Sequence, residues 1–287
     1  MTTSEYEREI LTWRAARLAR LTANDGWLSL IGRFELPVGE SLVGSDPRSA
    51  IVLPGDKAPA EVGRLVRTEQ SVVFVPAPHA ELGVHRAKAQ TSERVTAPIS
   101  LKTDAQGDPD RLVIGPLRIE IMQRSASFAV RVRDTQSPAL QSFAGIDHYP
   151  IRPEWRLKAR LIPYQPEKRI DLVYESGDPE TYRSPGAAIF ERDGVEFRID
   201  PVFDGARPRL YVVFGDQTNR DESYGAGRFL YAALPSDGHV VLDFNQAFSP
   251  PCAFTQFAVC PLPPAQNRLA LRVSAGEKRP GAPASLV

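Results

Sequence analysis

Cysteine is nearly absent from this chain of 287 residues: there are two, alongside two methionines, three tryptophans and four histidines. Two cysteines cannot build a disulfide framework. Cys252 and Cys260 also stand too far apart for a zinc knuckle or a redox Cys-x-x-Cys pair. With so few histidines, His239 is the one near enough to complete a Cys-Cys-His set, so no metal is expected. A Cys–His nucleophile pair is the other chemical option, and small residues packed among Phe248, Phe254 and Phe257 are the structural one.

Net charge is missing as well. Lys plus Arg and Asp plus Glu are 35 each, so no overall field gathers nucleic acid or an anionic membrane, and neither is expected as a partner. Lysine is scarce, arginine supplying all but six of the basic residues. Arginine forks grip carboxylates and phosphates, although codon usage in a GC-rich genome gives the same skew. No run reaches the roughly 18 apolar residues needed to span a bilayer, and MTTSEYERE at the N-terminus has neither a basic nor an apolar signal region. A cytoplasmic protein is the expectation. Helical periodicity is also rare, and no fixed-period repeat or low-complexity tract is present.

What the chain has in abundance is proline, 26 residues, and glycine, 20. That suits short strands joined by tight turns. The fold class expected is all-β: an N-terminal helix followed by two packed antiparallel sandwich or barrel modules. The divisions are an amphipathic helix in 1–25, a sandwich in 26–135, a β-rich module in 136–278 and a tail in 279–287. Leu11, Ala15, Leu18 and Leu21 recur at helical spacing and predict the buried face of the helix. Ser4 and Glu7 read as its capping box, and Arg14, Arg17 and Arg20 complement its dipole. In 26–135, strands are expected near 28–36, 40–44, 50–53, 62–67, 71–76, 93–101 and 111–123. The connector around 135–150 is the domain boundary. Beyond it, strands are expected at 156–164, 170–175, 187–192, 195–200, 210–214, 229–233, 240–244 and 269–275. Asp193-Gly194 marks a hairpin.

Two stretches, ELPVGESLVGSDPRSAIVLP and RLVIGPLRIEIM, resemble the rhythm of the forkhead-associated β-sandwich. That family reads phosphothreonine with an Arg after the glycine and a Ser-x-x-His on the next loop. Here Ser45 follows Gly44, and Lys57 to Gly63 supplies neither Ser nor His, so the resemblance implies a scaffold without the phosphate site. In the C-terminal half, FGDQTNRDESYGAGRFL, VVLDFNQAFSPPCAF, CPLPPAQNRL and AGEK stand in the order of the bacterial family called domain of unknown function 1684, which the chain resembles closely. Gly26-Trp27-Leu28, Tyr149-Pro150-Ile151 and Ser184-Pro185-Gly186 extend the likeness. The resemblance implies no activity and no catalytic residues.

The stretch from Ser223 to Lys278 mixes Arg, Asp, Asn and Glu into apolar, strand-like runs. Asp216 and Thr218 follow a strand end and read either as cleft residues or as an Asx-type turn. Tyr224-Gly225-Ala226-Gly227-Arg228 pairs glycines that admit a close approach with an Arg that reads as an anion clamp or a buried ion-pair partner. It lacks the strand-to-helix setting of a dinucleotide fingerprint and the Lys-Ser/Thr of a phosphate loop, so no cofactor is expected. Alternation places Val241, Asp243 and Asn245 on one strand face. Asp243 reads as a ligand group or as the partner of Arg228. Glu277 could supply a second carboxylate, but two carboxylates divide acid and base work only if their pKa values separate. His148 sits in the connector as a candidate general base, and His79 and His85 have no partner signal.

The reading that results is a protein binding a small polar or anionic ligand on a wall of Tyr224, Arg228, Asp243, Asn245, Asn267 and Glu277. A metal-independent hydrolase or lyase using His148, or Asp243 with Glu277, is the alternative, and a non-enzymatic protein-interaction module is a third. The oligomeric state stays open.

Overall fold

The computed structural model describes residues 3–281 apart from 87, 88, 90, 125 and 206. The chain is all-β with one long helix, α1 (Thr3–Thr22). It divides into two compact units: one runs Thr22–Phe143, and the other joins the chain up to Leu21 to the chain from Ala144 onward. The helix is thus part of the C-terminal unit.

The first unit is a sandwich. Its strands are β1 (Leu30–Glu35), β2 (Gly39–Gly44), β3 (Ile51–Val52), β4 (Gly63–Arg67), β5 (Val72–Pro76), β6 (Gly83–His85), β7 (Glu93–Arg94), β8 (Ile99–Leu101), β9 (Arg111–Ile114), β10 (Leu117–Arg124) and β11 (Ser127–Asp134). One sheet has the order β1-β11-β10-β9-β6-β7 and the other β3-β2-β4-β5-β8. The pleat sends Leu117, Ile119 and Ile121 of β10 inward, where they meet Val43, Leu65 and Phe74 from the facing sheet in one apolar core. All pairings are antiparallel except β2 with β3. Gly44 is required where these strands diverge, because a Cβ there would lie 2.0 Å from the Ala60 carbonyl oxygen. The loop after it closes on itself: Arg48 donates from its backbone and side chain to Asp46, and those bonds hold the Asp46 carboxyl down at about 2.

The short helix α2 (Pro138–Ser142) belongs to the first unit, and the second unit is α1 with β structure. Its strands are β12 (Arg156–Val173), β13 (Pro179–Arg192), β14 (Val195–Ile199), β15 (Val202–Phe203), β16 (Arg209–Phe214), β17 (Arg228–Ala233) and β18 (His239–Asp243). They form sheets of order β14-β13-β12-β18 and β15-β16-β17. The β16–β17 hairpin is buried on both faces. Leu210, Val212, Phe214 and Leu230 enter the core shared with Phe190, Ile199, Leu242 and Phe244. Val213 and Phe229 point the other way, toward Ile170, Leu172, Phe248 and the Trp13 ring of α1. The expected hairpin is present at Asp193-Gly194, with φ of 53° and 76° at the two turn residues, as a type I′ turn needs.

Several local expectations are overturned. The strands expected at 156–164 and 170–175 are one bent strand, β12, whose register with β13 shifts between Pro163 and Lys168. No strand forms at 269–275; its carbonyls turn to a side chain instead, as described below. Ser4 lies inside α1, accepting from Arg8 through its carbonyl rather than capping the helix. The predicted apolar face of α1 is also rotated: Leu11 and Leu18 are 55% and 39% exposed, while Tyr6, Ile10, Arg17 and Leu21 are buried. That buried set steps by four, seven and four residues, which keeps it on one helical face. It wins because polar partners from the β core await Tyr6 and Arg17, which a count of apolar residues alone does not register.

Candidate functional site

Arg228, at the start of β17, is completely buried. Its Nη2 donates to Asp216 Oδ2 at 2.7 Å and to the Val273 carbonyl at 2.8 Å, and its Nη1 donates to the Ala275 carbonyl at 2.5 Å. The chain here is outside any sheet and bonds itself only in tight turns, the Ala275 amide to the Val273 carbonyl at 2.9 Å among them, so one guanidinium collects carbonyls that no neighbouring strand reaches. Asp216 is committed too, accepting from the Thr218 and Val273 backbone amides. It is the Asx-type cap that its position allowed. Arg228 is therefore the ion-pair partner of Asp216, not of Asp243.

The neighbouring glycines serve the same packing. Gly227 has φ of 108°, and a Cβ on it would lie 2.5 Å from Pro263 Cγ and 2.8 Å from the Phe214 carbonyl oxygen. What approaches closely is Pro263. Asn267 acts as a staple, accepting from the Asp200 amide at 2.8 Å and donating to the carbonyls of Asp200 and Val213. Tyr224 donates to the Cys252 carbonyl at 3.3 Å, and burial raises its pKa.

Asp243 and Asn245 meet, but not across a shared strand face: β18 ends at Asp243, which caps the 3-10 turn holding Asn245, and the two gather around the Tyr6 hydroxyl of α1. Tyr6 donates to Asp243 Oδ1 and accepts from Asn245 Nδ2, both at 2.8 Å. Asn245 also clamps the backbone of Arg152. Burial raises the Asp243 pKa, and burial followed by the nearby Asp243 charge raises that of Tyr6.

Glu277 meets the helix at a different point. Its Oε1 accepts from Arg17 Nε at 2.9 Å and its Oε2 from the Ser249 amide at 2.8 Å. At about 1.5 Å of rise per residue, Tyr6 and Arg17 are some 16 Å apart along α1. Asp243 and Glu277 thus attach to different ends of the helix, and the six side chains read as one wall fall into separate hydrogen-bonded groups.

His148 does join Glu277. Their backbones form an isolated antiparallel bridge, and Arg14, one turn before Arg17, donates from Nη2 to the Tyr149 carbonyl at 2.9 Å. Arg17 also donates to the Ser249 carbonyl at 2.9 Å. Residues 14, 17, 148, 249 and 277 therefore form one connected cluster. Three of its buried side-chain atoms have no hydrogen-bond partner among the described residues: Arg14 Nε, His148 Nε2 and Ser249 Oγ. Burial, then the positive charge of Arg14, lowers the His148 pKa to about 4. The Ile146 backbone opposes this shift, more weakly; one nitrogen of a neutral ring donates and the other accepts, so Nε2 is an acceptor when Nδ1 carries the proton. Burial also lowers the Arg14 pKa. Sequence reading treated Arg14 and Arg17 as dipole charges and passed over Ser249 and Tyr6. The available signal was that Tyr6, Ile10, Arg14, Arg17 and Leu21 share a helical face.

Among the described residues, no three His, Cys, Asp or Glu side chains gather as a metal-binding group, and no helix is long and apolar enough to cross a membrane. An all-β unit completed by an N-terminal helix, with a polar cluster beneath that helix, is the class of protein this site defines. A family model described as protein of unknown function (DUF1684) matches residues 141–278, and the chain belongs to that family. It is similar to an uncharacterised protein of Haloarcula marismortui solved by solution NMR. The two are 32% identical, the match covers 48% of this chain and 78% of the other, and the TM-score is 0.41. No curated protein matches the chain.

Proposed function

We propose that the second unit binds a small organic anion that also carries a hydroxyl group, at the cluster of Arg14, Arg17, His148, Ser249 and Glu277. The observation that carries this reading is the trio of unpartnered buried polar atoms around one ion pair. Buried polar groups are otherwise hydrogen-bonded, so three together need an occupant. Arg14 Nε and Ser249 Oγ supply donors to an oxyanion, and His148 Nε2 accepts from a hydroxyl. Glu277 takes one face of Arg17, and Asp147 acts on the His148 ring from nearby, so the anion is held by the Arg14 fork rather than by a net charge. Arg14 and His148 are only half-buried, so a ligand has a way in.

Binding is favoured over general-base catalysis by the His148 environment. A pKa near 4 keeps the ring neutral at pH 7 but makes it a weak base, whereas efficient proton transfer wants a value near the working pH. The remaining sequence candidates, Tyr224, Arg228, Asp243, Asn245 and Asn267, serve the fold in this reading.

The test is thermal unfolding of the full chain against a panel of small hydroxycarboxylates, simple carboxylates and inorganic phosphate. A ligand at 100 times its Kd adds about 2.7 kcal/mol, which is several degrees in Tm for a unit of this size. The expected result is a shift with a hydroxycarboxylate that is lost in Arg14→Met and reduced in Ser249→Ala. A panel without effect, or equal shifts in wild type and Arg14→Met, would overturn the reading and leave ordered water as the occupant.

A further inference from the structure

The two cysteines meet in space. The Cys252 amide donates to Cys260 Sγ at 3.3 Å, and adding the N–Cα bond of about 1.46 Å places that sulfur within about 5 Å of the Cys252 Cα, in reach of a Cβ–Sγ–Sγ link. Both thiols are free. They differ in setting: Cys260 is 3% exposed within an apolar cluster, whereas Cys252 is half-buried at its edge.

The backbone around each sulfur is held. The Cys260 carbonyl accepts from the Glu175 amide at 3.1 Å, and Pro261 bridges to Tyr174. Pro250 and Pro251 stiffen the approach to Cys252, and Tyr224 donates to the Cys252 carbonyl. We propose that Cys252 and Cys260 form a reactive dithiol site, at which a hydroperoxide oxidises the pair to a reversible disulfide. Cys252 is the attacking thiol and Cys260 the resolving one.

The electrostatics agree with this division. Hydrogen bonding from the Cys260 thiol lowers the Cys252 pKa, helped by the Tyr224 hydroxyl and opposed by burial and by Glu175. The same bond, with burial, raises the Cys260 pKa. A half-buried thiol of lowered pKa beside a buried partner is the arrangement that favours attack by the first and resolution by the second.

In the first step Cys252 sulfur attacks the hydroperoxide, an S–O bond forms and the O–O bond breaks. The thiol proton goes to the departing alkoxide, giving an alcohol and a Cys252 sulfenic acid. Cys260 sulfur then attacks Cys252 sulfur, the S–S bond forms, the S–O bond breaks, and hydroxide leaves with the Cys260 proton as water. Two thiols are oxidised and one hydroperoxide is reduced. A small-molecule thiol restores the pair by exchange.

The inference does not rest on the ligand reading, and its test uses no ligand. The reduced full chain is treated with stoichiometric hydrogen peroxide and mapped by non-reducing peptide mass spectrometry. The expected product in wild type is a 252–260 link, lighter by two hydrogens, reversed by dithiothreitol and formed several-fold faster than an unstructured cysteine peptide is oxidised. Cys260→Ala should stop at a Cys252 sulfenic acid captured by dimedone, and Cys252→Ala should leave Cys260 unmodified. Failure of wild type to form the link before the peptide is consumed would overturn the proposal, as would passage of Cys252 to sulfinic acid with Cys260 still reduced. The wild-type mapping decides the matter even if a variant does not fold.

Discussion

Replacing Arg228 with methionine tests whether this residue holds the fold or a ligand. Methionine keeps much of the side-chain volume and removes the guanidinium. Asp216, whose side chain is completely buried like that of Arg228, then loses its partner. Breaking a buried pair by removing one member costs about 3–5 kcal/mol. The Ala275 carbonyl loses its donor at the same time, and the Val273 carbonyl one of two, keeping the Ala275 amide. For a unit of this size each kcal/mol is worth roughly 2–4 °C, giving a Tm lower by about 6–20 °C.

The second arm separates the unpaired charge from lost packing. Asp216→Asn in the Arg228→Met background removes the stranded carboxylate while keeping Oδ1, which can still accept from the Thr218 amide. The double variant should therefore recover part of the loss, and the coupling energy of the cycle should exceed about 1 kcal/mol. Urea unfolding, followed by hydrogen exchange of the β17 amides, reads this unit without interference from the first. A loss below about 1 kcal/mol for Arg228→Met, or a double variant no more stable than the single, would refute the reasoning and return Arg228 to the ligand wall.

His148 gives a pH prediction. Its folded pKa of about 4 lies below the ordinary 6.5, so between these values the unfolded chain binds the extra proton. Stability contributed by the neutral ring is present above pH 6.5 and lost as pH falls toward 4; NMR titration of the ring and comparison with His148→Gln unfolding should show that slope absent in the variant. Asp243 has the opposite sign. Its raised pKa means that its stabilising effect is present below the unfolded carboxyl pKa and declines as pH rises through the folded value. Asp243→Asn should consequently change Tm little at pH 7, relief of the buried charge offsetting the loss of a 3.6 Å ion pair from Oδ2, which makes no hydrogen bond, to the partly exposed Arg156 side chain, and should fall below wild type in acid. Gly276→Ala should fail badly, by about 3 kcal/mol or more, because φ is 81° and the new Cβ would sit 2.4 Å from the Ala247 carbonyl oxygen; circular dichroism melts would reveal a tolerant site.

The strands with a regular pleat were legible in sequence because alternation and turn chemistry are local properties. Asp193-Gly194 announces its turn, whereas the single strand expected at 111–123 is the β9–β10 hairpin turning at Gly115-Pro116. Three kinds of feature were not legible. The join of β12 across Pro163 to Lys168 depends on its partner β13. The rotation of α1 depends on the polar groups that await Tyr6 and Arg17. The loss of the strand at 269–275 depends on a guanidinium far away in sequence. Each is decided by a long-range partner, which single-chain periodicity does not contain.

The same logic explains why Ser223 to Lys278 looked like chemistry. Much of this segment is outside any sheet, yet it is largely buried, so its backbone cannot be left to a ladder or to water. Side chains take over: Arg228 collects the carbonyls of Val273 and Ala275, Asn267 staples Asp200 to Val213, and Glu277 accepts from Ser249. Polar residues among apolar ones in a buried irregular segment therefore announce backbone repair first. A ligand site is marked by the polar atoms left over once that repair is complete. By this criterion Arg14 Nε, His148 Nε2 and Ser249 Oγ stand out together, whereas Asn245 and Asn267 are spent. Arg228 also leaves Nε unpartnered and reaches the Glu277 carbonyl at 3.4 Å, but its two terminal nitrogens are committed to Asp216 and to carbonyls. The convergence of several leftovers, more than the presence of any one charged residue, is what separates a site beneath α1 from the polar scaffold around it.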